Sequence, residues 1–87
     1  MNIIIVECVH NKYYVDCVEK KNMKKRLLSL RDGKRNSFVR MFPAKKLIMK
    51  FTSKYKNHVN HVTVRWMRNK GIRNVRGGVF SNVKLNK

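Results

Sequence analysis

Carboxylates are scarce in this sequence. Its 87 residues hold four Asp and Glu against 22 Lys and Arg, which gives a formal net charge of +18 at pH 7. So large an excess of one sign repels itself in the compact state and favours contact with a polyanion or an acidic partner. Residues 33–87 carry fifteen Lys and Arg and no carboxylate, because all four acids come earlier: Glu7, Asp16, Glu19 and Asp32.

Long apolar runs are also missing. A membrane-spanning helix needs about 20 apolar residues, and the sequence contains no such stretch. The opening MNIIIVECV has no basic region before its apolar run and meets Glu7 at once, so we expect neither export nor membrane insertion. These observations predict an intracellular protein, or one held inside an assembly that forms there.

Cysteine, proline and length set further limits. Cys8 and Cys17 are the two cysteines, and without an export signal we expect reduced, buried thiols, with a disulfide as the lesser alternative. With one proline, four glycines and 43% apolar residues in clustered runs, the chain is expected to fold rather than stay disordered. Its length allows one small domain, 1–87, and excludes a large enzyme.

Two apolar runs open the chain. They are rich in Ile, Val and Tyr and are separated by His10-Asn11, which predicts a β-hairpin over residues 2–18. Because the turn has no Gly, the pattern does not define the register. Met23, Leu27 and Leu30 then repeat at helical spacing and predict a helix over about 20–31, which ends where Gly33 suits a left-handed position.

The second half continues with a basic loop, residues 34–43. It has room for one helical turn, with Asn36 or Ser37 as the cap before Phe38. The segment AKKLIMKFT predicts a strand over about 45–52.

A second helical pattern follows this strand. Val59, Val62, Trp66 and Met67 share one face and predict a helix over about 57–70. Residues 71–87 form a tail. The order β-β-α-(short helical turn)-β-α-tail predicts an α+β fold, a three-stranded antiparallel sheet flanked by helices.

Several motifs together resemble the GIY-YIG endonuclease domain. The hairpin IIVECVHNKYYVD, the helix with KKRL and the ending WMRNKGIRNVRGGVFSN carry the resemblance, which covers nearly the whole chain. It is closest to small variants of large DNA viruses and some protists that end in GI-x-NVRGG. Such domains hydrolyse a phosphodiester with one divalent metal, a tyrosine in each hairpin strand, an arginine on the first helix and a glutamate on a later helix.

At two of these positions this chain has a different type of residue. The resemblance places Tyr14 at the second tyrosine and Arg26 at the helix arginine, but Ile4 stands where the first tyrosine belongs. The segment NHVNHVTVRW, which ends at Trp66, holds no carboxylate where the metal-binding glutamate belongs. Isoleucine transfers no proton, and a hard cation prefers anionic oxygen ligands. We therefore expect the site to be degenerate. The protein is expected not to be an enzyme, to need no cofactor and to take no small-molecule substrate.

Two ways of holding a metal remain open in the sequence. Asp16 is the spare carboxylate nearest the resembling site and is a substitute ligand in one interpretation. In the other interpretation it is solvated, close to the turn or paired with a lysine. His58 and His61, with Cys8 or Cys17, are imaginable as a zinc set, but no CxxC or HExxH accompanies them. Histidines near a helix start or against phosphate are the simpler interpretation.

The basic residues supply the remaining function. Together they predict non-specific binding to nucleic acid, DNA more than RNA, through phosphate contacts. The candidate contact residues are Lys24, Lys25, Arg26, Arg31, Lys34, Arg35, Arg40, Arg65, Arg68, Arg73 and Arg76.

The RGG segment and the aromatic residues each have more than one interpretation. Arg76-Gly77-Gly78 is neither a repeated RGG segment nor a phosphate loop, and an inward-pointing Arg76 is favoured. Bases have candidate stacking partners in Tyr13, Tyr14, Phe38 and Trp66, although a small core explains Trp66 and one tyrosine better.

These features predict a basic, non-catalytic protein, fitting a virion or genome-packaging component of a large DNA virus. One alternative is a structural subunit of a capsid or other assembly, its charge matched by acidic protein surfaces and with no nucleic-acid contact. The other is a metal-dependent nuclease with a rearranged site.

Overall fold

The computed structural model describes residues 1–81; residues 82–87, the end of the predicted tail, lie outside the described part. Its α-helices are α1 (Met23–Arg31), α2 (Ser37–Met41) and α3 (His58–Lys70). Its strands are β1 (Asn2–Cys8), β2 (Lys12–Val18), β3 (Ala44–Thr52) and β4 (Val75–Gly77). The predicted α+β class is confirmed, and the predicted helices and strands agree with these bounds within a few residues.

The sheet differs from the prediction. Its strand order is β3-β1-β2-β4, with β1 antiparallel to both β2 and β3 and with β4 parallel to β2. The predicted three-stranded antiparallel sheet is therefore wrong, because a short fourth strand makes the sheet mixed. That strand is Val75-Arg76-Gly77, too short for a period-two pattern, and it forms by pairing with the outer edge of β2 at Tyr13, Tyr14 and Val15.

The hairpin turn manages without glycine. Val9–Asn11 forms a 3-10 turn in which His10 and Asn11 both adopt left-handed backbone angles, with φ of 60° and 59°. Asn and His are among the residues that enter this region at the least steric penalty. The register that follows pairs Cys8 with Lys12 and Asn2 with Val18.

Helix ends agree with the capping signals in the sequence. A 3-10 turn, Lys20–Asn22, leads into α1, and Gly33 after α1 has φ +71°. The side chain of Asn36 accepts a hydrogen bond from the backbone N–H of Val39 at 3.1 Å and caps α2. Asn36 is thus the cap, rather than Ser37.

Both faces of the sheet are covered. One apolar cluster joins even-numbered residues of β1 and β2, such as Ile4 and Tyr14, to Leu30 of α1 and Phe38 of α2. A second joins odd-numbered residues, such as Ile3, to Val62 of α3 and other side chains of that helix. We call these two sides the α1 face and the α3 face. Burial on both faces explains why β1 is a continuous apolar run without alternation.

A close backbone approach beside β4 requires glycine. A Cβ on Gly77 would lie 2.3 Å from the carbonyl oxygen of Val15 and 2.7 Å from Thr63 Oγ1. Gly77→Ala is expected to lower the free energy of unfolding by at least about 2 kcal/mol, because the Val15 backbone and the buried Thr63 side chain would both have to move. Urea denaturation followed by circular dichroism measures this change.

Gly71→Ala is the matched control for that substitution. It adds the same methyl group, and the nearest atom is the Asn74 side-chain amide at 3.1 Å, which is able to move. A left-handed backbone remains strained there, so we expect a loss of about 1 kcal/mol. Equal losses for the two variants would contradict the close approach at Gly77.

Candidate nucleic-acid interface

Asp16 lies in a buried ion pair on the α1 face. Arg26 Nη1 donates a hydrogen bond to Asp16 Oδ2 at 2.6 Å, and Arg35 Nε lies 3.6 Å from the same oxygen. The Asp16 side chain is only 7% exposed, against 24% for Arg26 and 42% for Arg35. The interpretation of Asp16 as solvated, close to the turn or lysine-paired is therefore wrong. The strand alternation that buries Tyr14 also turns Asp16 toward α1.

The same carboxylate is satisfied on its other oxygen. Asp16 Oδ1 accepts the backbone N–H of Cys17 at 2.9 Å. Two guanidiniums and an amide therefore surround Asp16, and this group leaves little scope for a divalent cation, which prefers several anionic oxygens. The donor set in this structure does not fit the metal that the resembling family uses.

Tyr14, the family-like tyrosine, is part of the core. It is 1% exposed, and its hydroxyl accepts a hydrogen bond from Asn36 Nδ2 at 2.8 Å and lies 3.4 Å from Ser81 Oγ. Burial raises the pKa of Tyr14, and the nearby Asp16 charge raises it further. The phenol is thus protonated at neutral pH and is a poor proton acceptor. Ile4, which pairs with Asp16 across β1 and β2, is fully buried.

The histidines and cysteines are not brought together. Among residues 1–81, no group of three His, Cys, Asp or Glu is close enough to hold a metal ion. His58 Nδ1 lies 2.9 Å from Ser53 Oγ, and the His58 ring stands edge-on to Phe51. Cys8 belongs to the α1-face cluster, whereas His58 starts α3 on the opposite side. The structure therefore does not assemble the zinc set considered from the sequence.

Both cysteines are free thiols, as predicted, but only Cys8 is buried as expected, since Cys17 is partly exposed. Burial raises the pKa of Cys8 to about 12, with the Glu7 charge adding to the effect. Burial also raises the pKa of Cys17. Because the thiolate is the reactive and metal-binding form, neither side chain is primed for chemistry at neutral pH.

Arg76 is a basic candidate that points inward. It is 6% exposed, its guanidinium lies 5.7 Å from the Phe38 ring, and Nη1 donates to the carbonyl oxygens of Ile72 and Val75. Desolvation lowers the pKa of Arg76. This agrees with the inward interpretation of the RGG segment, and it removes Arg76 from the basic residues that a polyanion reaches directly.

Two groups of the predicted contact residues lie on opposite sides of the sheet. On the α1 face, Lys25 and Arg26 line a shallow depression of about 300 Å³ with Asn22 and Ser29. Together with the neighbouring exposed Lys21 we call this the α1 surface. Other predicted contact residues around α1 and α2 are exposed as well: Lys24, Arg31, Lys34, Arg35 and Arg40.

The second group of cations lies on the outward side of α3. Arg65 and Arg68 line a depression of about 350 Å³ with His61, Val64 and Asn69, and we call this the α3 surface. Arg73, which follows α3, is also exposed and is included in the α3 surface. The two surfaces point away from each other because α1 and α3 pack on opposite faces of the sheet.

The two surfaces differ in how closely their basic side chains are paired with acidic ones. Each of the four acidic side chains has a basic partner within 4.0 Å, and those partners all precede residue 47: Lys21, Arg26, Arg31, Arg35, Lys45 and Lys46. Within residues 1–81, Arg65, Arg68 and Arg73 have no carboxylate at that distance. The α3 surface therefore presents its full positive charge to solvent.

The aromatic candidates for base stacking are mostly buried. Tyr14 and Phe38 are each 1% exposed, and half-buried Trp66 packs on Tyr13 with ring centroids 5.5 Å apart. The core interpretation of Trp66 thus agrees with the structure. The sequence reasoning missed Tyr55, which is 73% exposed between Lys54 and Lys56. An aromatic residue between two lysines was the available signal.

Two polar partners of the core tyrosine were also missed. Asn36 is the predicted cap of α2, and its side-chain amide also donates a hydrogen bond to the Tyr14 hydroxyl. Ser81 belongs to the GGVFS ending, and its hydroxyl donates to the carbonyl oxygen of Gly78 at 2.6 Å while lying near Tyr14. Tyr14 and Ser81, which belong to the resembling motifs, thus form a packed polar group with Asn36 and not an open cleft.

Comparisons with known proteins add no relative. No protein-family model matches the chain, and neither the curated proteins nor the solved structures contain a match. The class that the structure defines is a small, strongly basic α+β domain with a mixed four-stranded sheet. No helix within residues 1–81 is both long and apolar enough to cross a membrane.

Proposed function

We propose that this chain is a non-catalytic, GIY-YIG-like protein that binds nucleic acid, DNA in particular, without sequence preference. The observation that carries the proposal is the α3 surface, where Arg65, Arg68 and Arg73 face solvent and have no carboxylate within 4.0 Å among residues 1–81. Guanidiniums in this state bind phosphate oxygens and release condensed counterions.

The absence of specificity follows from the kind of side chains involved. Lysines and arginines on an outward helix face contact phosphates, which carry no direct sequence information. Tyr55, exposed between Lys54 and Lys56, supplies a flat ring on which any base is able to stack. The expected role is therefore holding a polyanion, as in packaging a viral genome inside a virion.

A two-sided arrangement of charge supports a more specific mode of action. The α1 surface and the α3 surface lie on opposite faces of a molecule that measures 31 × 25 × 20 Å. A single duplex segment lies against one side only, so the other surface is left for a second segment. In this proposal one molecule joins two segments of nucleic acid.

Salt-dependent binding to labelled duplex DNA tests the proposal. We expect binding that weakens steeply between roughly 50 and 200 mM salt, by about 100-fold if about four phosphates are contacted, and that is equal for unrelated sequences. Fluorescence anisotropy measures the affinity. Arg65→Gln/Arg68→Gln is expected to reduce the slope of log affinity against log salt by about 2.

Lys45→Gln/Lys46→Gln is the matched control for that variant. It removes the same number of charges from β3, where both lysines already neighbour Glu7. If the control weakens binding as much as the α3 variant does, net charge and not the α3 surface is responsible. An absence of binding near 50 mM salt would remove the proposed function altogether.

The same experiment with Mg²⁺ examines the nuclease alternative. Intact DNA is the expected result. Tyr14→Phe keeps the buried ring and removes only the hydroxyl that contacts Asn36 and Ser81. Cleavage by the unchanged protein that disappears in Tyr14→Phe would establish a rearranged active site and would overturn the non-catalytic assignment.

A further inference from the structure

An apolar groove lies between α1 and the edge strand β3. Its volume is about 250 Å³, and its aliphatic lining comes from Val6, Leu27, Leu28, Ala44 and Leu47. Leu28 is 44% exposed and Leu47 is 40% exposed, so both contact solvent at present. Cavities of about 150 Å³ hold a benzene-sized group. The groove thus has room for at least one aliphatic side chain from another molecule.

Basic side chains surround this apolar floor. Lys24, Arg31, Lys45 and Lys46 complete the lining. Glu7 lies 3.8 Å from Lys45 and 3.7 Å from Lys46, and Asp32 lies 3.8 Å from Arg31, but these pairs are largely solvent-exposed on their basic side. Surface pairs of this kind hold their partners weakly, so the cations are able to bind another carboxylate.

The edge of the sheet beside the groove is apolar and irregular. Ile48 and Met49 follow Leu47 and are 42% and 46% exposed. The pairing of β1 with β3 skips Ile48 and Lys45, so β3 carries two bulges. Bulges and lysines on an edge strand oppose regular pairing with another strand. A partner that contacts these exposed apolar side chains is therefore expected to insert its own side chains between them and not to add a strand to the sheet.

We infer that this groove binds an acidic segment of another protein, which places an aliphatic side chain on Leu28 and Leu47 and carboxylates on the surrounding lysines. Charge complementarity selects this occupant. A second copy of the chain brings a net charge of +18, and residues 82–87 hold two lysines and no acid, so both meet repulsion. DNA offers only the small thymine methyl group to fill the floor, and the inference does not depend on nucleic-acid binding.

The test separates the groove from simple charge attraction. The probe is a short fluorescein-labelled peptide in which glutamates alternate with leucines, and a second peptide replaces each leucine with serine. Anisotropy is measured at about 0.3 M salt, where exposed charges are strongly screened. We expect the leucine peptide to bind and the serine peptide to bind at least about tenfold more weakly.

Two variants separate the contribution of the apolar floor to peptide binding from the contribution of positive charge. Leu28→Lys and Leu47→Lys each add a positive charge at an exposed position while removing aliphatic surface. If the groove binds the peptide, each variant weakens binding about tenfold or more. Ile72→Lys, at a position 57% exposed and outside the groove lining, adds the same charge and is expected to leave binding unchanged or slightly stronger.

Three outcomes would overturn the inference. Binding that is equal or tighter in Leu28→Lys and Leu47→Lys would show that charge alone attracts the peptide. Sedimentation that reveals a dimer lost in Leu47→Lys would assign the groove to self-association. Peptide binding that appears only after residues 82–87 are removed would assign it to the chain's own tail. DNA binding measured on the same variants is expected to be equal or slightly tighter because each adds a positive charge, so failure here is distinguishable from failure of the proposed function.

Discussion

Arg26→Ala is expected to lower the free energy of unfolding by about 3 kcal/mol, because it leaves the buried carboxylate of Asp16 without its main partner. Asp16 is 7% exposed, and the lost contact is the 2.6 Å hydrogen bond from Nη1. For a domain of this size such a loss lowers Tm by roughly 15 °C or more. Chemical and thermal denaturation followed by circular dichroism measure both quantities.

The other two members of the ion pair are expected to matter less. Arg35 is 42% exposed and lies 3.6 Å from Asp16, so Arg35→Ala is expected to cost less than about 1 kcal/mol. Asp16→Asn retains an oxygen for the Cys17 N–H, and both arginines are exposed enough to regain water. We expect a loss of about 1 kcal/mol for this substitution.

A double-mutant cycle provides the control for this prediction. Combining Arg26→Ala with Asp16→Asn removes the stranded charge, so the double variant is expected to be more stable than Arg26→Ala alone. Additive losses would show that Arg26 contributes through packing and not through the carboxylate. The outcome also bears on function, because Arg26 neutralised by Asp16 has less charge to offer a phosphate than its position on α1 implies.

Part of this site was predictable from the sequence. Asp16 follows Tyr14 by two residues within a β-strand, so the strand period alone places both on one face. That face also holds Val18, and an acid between two apolar neighbours requires a buried cation. Which cations approach was not predictable. Arg35 comes from a loop, and its distance from Asp16 depends on how α1 and α2 pack together.

In the fold, too, the elements with a local sequence pattern were predictable, and those that depend on tertiary pairing were not. The hairpin, α1, β3 and α3 have clear periodicity or apolar runs, and each appears near its predicted bounds. β4 consists of Val75, Arg76 and Gly77, of which only Val75 has a strong intrinsic preference for strand. Its extended form depends on pairing with β2, which no local window of sequence contains. The opposite placement of α1 and α3 likewise comes from chain topology.

That opposite placement leads to the second large effect, the joining of two DNA segments. We expect the unchanged protein at low salt to capture a labelled duplex on beads that carry a different immobilised duplex. Arg65→Gln/Arg68→Gln and Lys21→Gln/Lys25→Gln each remove two positive charges from one surface. Each is expected to keep measurable binding to free duplex while abolishing capture, because one remaining surface holds one segment at a time.

The two variants are matched in a way that makes the result decisive. Each removes two exposed positive charges, one pair from the face of α3 and the other from α1 and the 3-10 turn before it, and leaves the apolar side chains untouched, so stability is expected to change by less than about 0.5 kcal/mol. Lys45→Gln/Lys46→Gln removes the same charge from β3 and is expected to retain capture. If neutralising one surface abolishes free binding as well, the cations act as a single site, and the two-sided mode is wrong. If capture persists in both variants, the charge is spread over the whole molecule and neither surface is a site.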